Sequence, residues 1–228
     1  MAQWGSSETI ANGMPLCARF VDALPITGAA VSVFGTALPE TSVCASDALA
    51  ARLDEMQYEL GEGPRWQAVR TRLPVLLPHV RRGQHPAWPV YAQALSETTV
   101  EAMFVFPLLV GALDVGVVEL YSSSPDALGR DDQDLARSLA DAAAWTLLDR
   151  ILTMNDQHHQ SASSPSPSLV PSPLARREIH QATGMVLVQL GLTPTEALMR
   201  LRAHAFSHSV SLREVSRQIV ARTLVLTS

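Results

Sequence analysis

The sequence predicts an α+β domain, an antiparallel sheet with helices packed on it, followed by a small bundle of three helices. Three observations carry this expectation. Short runs rich in β-branched residues alternate with helical periods, and turns of hairpin length join them. A Pro/Ser-rich segment, "SASSPSPSLVPSP" (Ser161 to Pro173), then interrupts the chain as a semi-extended linker. Beyond it, two sets of helix-start residues and a glycine stop punctuate a purely helical pattern.

"GAAVSVFG" (Gly28 to Gly35) reads as a strand with Val31 and Val33 on one face. "SDALAARLDEMQYEL" (Ser46 to Leu60) contains a helix with Ser46 as its cap and Leu49, Leu53 and Met56 in register. "GEGP" (Gly61 to Pro64) ends it in a turn, and "LPVLLP" (Leu73 to Pro78) is a short strand between prolines. "VEAMFVFPLLVGALDVGVVELYS" (Val100 to Ser122) holds two strands turning near Gly111 and Asp114, the second alternating through Val115 and Val117. "DDQDLARSLADAAAWTLLDRILTM" (Asp131 to Met154) is a long helix with acids in its first turn and Leu135, Leu139, Ala142, Ala143 and Thr146 along one side. That side either pairs with a copy of itself or packs on its own sheet.

After the linker, a helix from about Leu174 to Leu190 is stopped by Gly191, a residue suited to the left-handed position past a helix end. "TPTE" (Thr193 to Glu196) is a capping box with proline at the first helical position. It opens a helix with Ala197, Leu198, Leu201 and Ala205 on one stripe. "SLRE" (Ser211 to Glu214) is expected to be a second box, opening a helix with Leu212, Val215 and Ile219 aligned.

Composition narrows the function classes. With 228 residues, 47% apolar and 17% charged, the chain has the make-up of a soluble globular protein. No apolar run reaches the ~18 residues a membrane span requires, and no secretory signal is visible, so a cytoplasmic location is expected. Cys17 and Cys44 form no metal or redox spacing and are expected to be buried free thiols. No phosphate loop, nucleophile elbow or zinc-protease helix is present, so no enzyme and no metal are expected. The carboxylates between Asp47 and Glu62 are expected to be solvated, and "RRGQHPAWP" (Arg81 to Pro89) reads as a surface loop that could border a ligand cavity. The net charge of −5 hides an asymmetry: after residue 160 come seven arginines and three glutamates, and every basic residue of the chain is Arg or His. An acidic front joined to a basic tail suits two units with different partners, the tail fitting a polyanion.

On a wheel of about 100° per residue, Ile179, Ala182, Val186 and Leu190 form the core face of the first tail helix. His180, Gln181, Gly184 and Val188 lie opposite. Glycine costs a helix interior roughly 1 kcal/mol relative to alanine, so its presence on the outer face admits close approach by something. A protein surface, a nucleic acid and neutral drift all remain open. For the nucleic acid, His180, Gln181 and Thr183 offer hydrogen bonds, and Arg202, Arg213 and Arg217 offer phosphate contacts.

"HQATGMVLVQLGLTPTEALMRLRAHAFSHSVSLREVSRQIV" (His180 to Val220) resembles the ANTAR domain, the RNA-binding module of bacterial transcription antiterminators. Gln181, Ala182, Gly184, Gly191, Thr193, Glu196, Ala197, Leu201, Arg202, Ala205, Leu212 and Val215 fall at its pattern positions. The preceding part resembles the GAF domain found ahead of ANTAR in actinobacterial regulators, through "LDEMQYELGEGP" and "FVFPLLVGALDVGVVELYSSSPDAL". The expected fold is therefore a GAF-like antiparallel sheet with flanking helices and a three-helix ANTAR bundle. The division expected is an N-terminal tail (1–11), a GAF-like sensor (12–155), a Pro/Ser linker (156–173) and an ANTAR domain (174–228). The resemblance implies a non-enzymatic regulator whose paired ANTAR domains bind RNA stem-loops in a nascent transcript and prevent termination. It implies a homodimer with no membrane partner, and leaves the cofactor unknown, a small ligand in the GAF-like part being possible. DNA is not an expected partner, although a DNA-binding helix-turn-helix and a protein-interaction adaptor are the alternatives. Many relatives carry lysine where this chain has Thr183, which removes one phosphate contact.

Overall fold

The computed structural model describes residues 14–35, 38–82, 85–160 and 176–226. The N-terminal tail 1–11 and the Pro/Ser segment 161–173 lie outside the described residues. The chain forms two compact units, one holding the sheet and one the three C-terminal helices.

In the first unit the order is α1 (Met14–Ala23), β1 (Gly28–Gly35), β2 (Leu38–Ala45), α2 (Ala48–Leu60), α3 (Pro64–Thr71), β3 (Val75–Leu77), α4 (Pro89–Ser96), β4 (Ala102–Val110), β5 (Leu113–Ser122) and α5 (Arg130–Gln160). The five strands form one sheet in the order β2-β1-β5-β4-β3, every neighbouring pair antiparallel. The α+β expectation holds, and the hairpin turns at Gly111, whose φ of 58° suits glycine. The period of two along a strand sorts the faces. Val31 and Val33 join Phe104, Phe106, Leu108, Val118 and Leu120 in a core closed by α1 and by Ala136, Ala140, Ala143, Ala144 and Leu147 of α5. Ser32 and Glu119 point to the other face, which α3 covers. Val115 through Tyr121 are buried without alternation because both faces are covered. Gly116 of β5 lies so close to β1 that a Cβ there would stand 2.2 Å from the Ser32 carbonyl oxygen.

Four expectations change. The cap of α2 is Asp47, whose Oδ1 accepts from the backbone N–H groups of Leu49 (2.8 Å) and Ala50 (2.9 Å). Ser46 instead accepts from Ala29 N–H and donates to Asp47, tying β1 to the helix start. Cys17 and Cys44 are joined in a disulfide between α1 and β2; the fold brings their Cα atoms to 6.1 Å, a separation a disulfide spans. In α5 the packed side is turned from the one expected: Leu135 and Ala142 face outward, Leu139 and Thr146 are half-buried, and Ala143 is buried. Small alanines let that helix lie close to the sheet, so the closest residues are not the largest. Finally, α5 continues to Gln160, through positions expected to start the linker, because nothing in 156–160 breaks a helix.

The second unit comprises α6 (Arg177–Leu190), α7 (Pro194–Ser207) and α8 (Leu212–Val220). Residues 174 and 175, where α6 is expected to begin, are outside the described residues. Ile179, Ala182, Val186, Ala197, Leu201, Ala205, Leu212, Val215 and Ile219 form its buried core. Gly191 ends α6 at φ 67°, and the N–H groups of Gly191 and Leu192 both bond the Leu187 carbonyl. Thr193 and Glu196 form the complete capping box of α7, with Thr193 N–H donating to Glu196 Oε2 at 2.8 Å. Ser211 performs only half of the second box. Its hydroxyl accepts from Glu214 N–H, whereas the Glu214 carboxylate turns forward to accept from Gln218 at 2.8 Å and to pair with Arg217.

Candidate functional site

In the second unit, α6 sets the residues of interest by helical phase alone. Ile179, Ala182 and Val186 are buried, and the helix therefore turns Gln181 and Val188 to solvent, with Val188 79% exposed. Gly184 sits between them; a Cβ placed on it would meet nothing within 4 Å, so the groove over its backbone is open. His180 is half-buried at one side of this strip. Thr183 is also half-buried, and its hydroxyl donates to the Ile179 carbonyl at 2.7 Å. The donor expected to serve a ligand is thus spent on the helix, leaving the oxygen lone pairs as acceptors.

The expected arginines divide. Arg202 follows Leu201, the centre of the α7 core stripe, and is half-buried. Arg213 is half-buried on the first turn of α8. Arg217 is exposed but pairs with Glu214 one turn back, so part of its charge is balanced within the helix. Three further exposed arginines fall outside the expected set: Arg177, Arg200 and Arg222. Helical phase is the signal that points to the first two. Two outward apolar residues of α7 fall outside it as well: Met199 (60% exposed) and Phe206 (67% exposed) lie across that helix from Leu201.

The Glu196 carboxylate is held below its ordinary pKa, first by the Thr193 backbone N–H and then by the Thr193 hydroxyl. Glu214 is lowered chiefly by Gln218. His204 and His208 stack at 4.0 Å, and His204 is lowered first by burial and then by its neighbour's charge. A neutral His204 at the end of α7 therefore adds little positive charge to this surface near neutral pH.

The first unit contains a different arrangement, on the sheet face away from α1 and α5. Arg65, the second residue of α3, is completely buried. Its Nη1 lies 2.9 Å from Asp54 Oδ1 and 3.2 Å from Glu40 Oε1, and its Nε lies 3.1 Å from Glu119 Oε1. Gln57 braces the group twice, donating to Glu119 Oε2 at 2.7 Å and accepting from Arg65 N–H at 2.9 Å. Ser32 donates to Asp54 Oδ1 at 2.7 Å. Burial acts to lower the arginine's proton affinity, but Glu119, Asp54 and Glu40 outweigh it, and the guanidinium is held charged more firmly than a free one. Nearby Tyr91 is pushed well up, first by burial and then by Glu119. The expectation of solvated carboxylates in this segment fails at Asp54, which is buried because the inner stripe of α2 runs through Ala50, Leu53, Asp54 and Gln57. The loop before α4 also reaches inward, with Trp88 buried against His85 at 4.1 Å.

Among the described residues no cluster of three or more His, Cys, Asp or Glu is placed to hold a metal ion, and no helix is long and apolar enough to cross a membrane.

Comparison with known proteins assigns both units. The GAF domain family model matches residues 16–147, and the ANTAR domain model matches residues 174–220. No curated protein matches the chain. Similar solved structures include the GAF domain of a two-component sensor histidine kinase from Bacillus halodurans, 13% identical, with 65% of this chain and 97% of that one covered at a TM-score of 0.48. GAF3 of Slr1393 from Synechocystis sp. PCC6803 is 14% identical over 67% and 99% at 0.49. The type II free methionine-R-sulfoxide reductase from Thermoplasma acidophilum is 15% identical over 62% and 95% at 0.44. By its larger match the chain belongs to the GAF domain family, and with the C-terminal ANTAR domain it is a regulator of the ANTAR type that joins signal sensing to transcription regulation.

Proposed function

We propose that this protein is a cytoplasmic, non-enzymatic regulator in which the GAF unit receives a signal and the ANTAR unit, acting as one of a pair in a homodimer, binds RNA stem-loops in a nascent transcript. Holding that RNA fold keeps the competing terminator hairpin from forming. The observation that carries the reading is the open strip of α6 in a unit of ANTAR type: Gln181 exposed and Gly184 with free space above its backbone, in a unit whose exposed cations are arginines. Gln181 and His180 serve as hydrogen-bonding groups toward bases, Thr183 as an acceptor toward a 2′-hydroxyl, and Arg202, Arg213 and Arg217 as phosphate contacts. Arg177 and Arg200 join them, and they compensate for the absence of a cation at Thr183.

The test is fluorescence anisotropy of the full-length chain against a labelled paired stem-loop RNA, an unrelated RNA of equal length and a DNA duplex, from about 50 to 200 mM salt. Selective stem-loop binding that weakens with salt, and weakens further in Arg202→Ala, is the expected result. Equal and poor binding of all three nucleic acids refutes the RNA-reader proposal. One observation favours a second reading: Val188 is the most exposed large apolar residue of α6 and suits a partner helix better than a phosphate backbone. An adaptor of that kind would bind no nucleic acid in the same assay. Pairing of Arg217 with Glu214 leaves α8 poorly equipped as a DNA-reading helix.

A further inference from the structure

The chain has two cysteines, and the fold pairs them. Cys17 lies in the first half of α1 and Cys44 next to the last residue of β2, with their Cα atoms 6.1 Å apart. Both belong to the apolar core, at 0% and 3% exposure. In a compartment of reducing thiols, a disulfide that forms is as a rule transient and serves catalysis or redox sensing. We propose that the Cys17–Cys44 pair is a redox switch of the GAF unit, closed as a disulfide and opened by a dithiol, and that the surrounding thiol–disulfide balance is a signal this unit receives. The proposal rests on the cytoplasmic sensor reading for its setting and on the geometry of the pair for its mechanism.

Two features separate this pair from a permanent staple. The first is where Cys44 stands. β2 is an outer strand of the sheet, hydrogen-bonded to β1 alone. Its ladder slips beside Cys44: Val31 faces Cys44 but Ser32 faces Ser42, so Val43 is left without an opposite residue. A bulged edge strand opens more readily than a paired inner one, and such opening brings the buried sulfur to solvent. The second feature is that both partners stay in place without the bond. α1 keeps Phe20 and Leu24 in the core, with Leu16 and Val21 against it, and β2 keeps its ladder and the buried Val43. Reduced, the two cysteines are small apolar groups inside that core. Both states are therefore folded, which a switch requires and a staple does not.

The step is a thiol–disulfide exchange. A thiolate of the dithiol attacks Cys44 Sγ, the sulfur beside the bulge, and the S–S bond breaks; Cys17 leaves as a thiolate and takes a proton. The second thiol of the reductant then attacks the mixed disulfide and frees Cys44 as a thiol. The pair has taken up two electrons and two protons, and the dithiol that lost them has become a disulfide. Oxidation is the reverse, with a disulfide as acceptor. Breaking the bond releases α1 from β2. Because α1 also packs against α5, the last helix of the GAF unit, its loosening reaches the element through which the chain leaves that unit.

The test equilibrates the full-length chain, without denaturant, in buffers of reduced and oxidised dithiothreitol at varied ratio. Acid quenching, alkylation and mass spectrometry then count the free thiols. Two adducts at the reducing end, none at the oxidising end and a reversible transition between them are expected. Hydrogen exchange of the α1 amides should be about tenfold faster or more in the reduced chain, while the amides of β4 and β5 keep their protection. A chain carrying both Cys17→Ala and Cys44→Ala should exchange like the reduced protein and ignore the buffer. A pair that stays oxidised in excess dithiol until the unit unfolds is a permanent staple, and two adducts at the oxidising end would mean that no bond forms. Equal α1 exchange in the two states would leave the bond without a conformational effect. Each of these three results overturns the proposal, and none involves RNA, so they stand apart from the test of RNA binding.

Discussion

Gly184→Ala separates the two demands placed on α6. A Cβ at this position meets nothing within 4 Å, so the substitution introduces no clash inside the molecule. It removes the conformational freedom that glycine gives the unfolded chain, and a helix interior gains roughly 0.8–1 kcal/mol on that exchange. At about 1.4 kcal/mol per tenfold, the opening of α6 should become four- to fivefold rarer. Hydrogen exchange of the amides between Val186 and Leu190 in the full-length chain reads this as slower exchange by the same factor. The proposed RNA contact responds in the opposite sense, because a methyl group, and more strongly the isobutyl group of Gly184→Leu, fills the space an RNA loop would enter. Stem-loop affinity in the anisotropy assay should fall with side-chain size, reaching tenfold or more for leucine. Greater protection together with weaker RNA binding is the predicted signature. Faster exchange in Gly184→Ala would show that the groove is occupied within the chain, and unchanged RNA affinity in Gly184→Leu would remove this face from the interface.

Arg65→Met leaves Asp54, Glu119 and Glu40 around a neutral side chain and should cost the GAF unit about 3–5 kcal/mol in urea denaturation; a loss below about 1 kcal/mol would show that the carboxylates release their charge without cost. Thr193→Ala removes the start of α7 and should lower the stability of that helix by about 1 kcal/mol, seen in exchange of its first-turn amides. Glu196 adds a pH signature to the same amides. Its folded pKa lies below the ordinary value, so its contribution is complete above the ordinary carboxylate range and is lost as pH falls through the folded value; protection that is flat through acid, or that rises there, contradicts the sign. Cys17→Ala opens the link between α1 and β2 and should lower the stability of the GAF unit by about 2–4 kcal/mol under non-reducing conditions. When both chains are measured with excess dithiol, the same substitution should cost only the packing of the buried sulfur, about 1 kcal/mol.

Residues that act over a few positions are legible from the chain alone. Gly191, Thr193 with Glu196, and Ser211 stop and start helices through bonds to backbone groups one turn away, and each does so where expected. Val31 and Val33 share a face for the same reason, since the period of a strand is a local property. The second capping box fails at Glu214 because Arg217 and Gln218 offer the carboxylate a competing set of partners, and pattern alone does not rank two local options.

What only the tertiary structure decided depends on residues distant in the chain. Arg65 gathers Glu40, Asp54 and Glu119, and Gln57 reaches Glu119 across 62 positions, so nothing near Asp54 announces that it will be buried. Cys17 and Cys44 meet because α1 packs beside β2, with a sequence separation of 27. The turn of α5 that buries Ala136, Ala140 and Ala144 and exposes Leu135 and Trp145 follows from close approach to the sheet, where a small side chain outcompetes a large one. Sequence therefore settled where most helices and strands begin, end and face, since hydrogen bonds and side-chain periods act within a turn. Which polar groups are desolvated together, and which apolar ones are left outside, was settled by packing, because burial is a property of neighbours that the chain supplies only after it has folded.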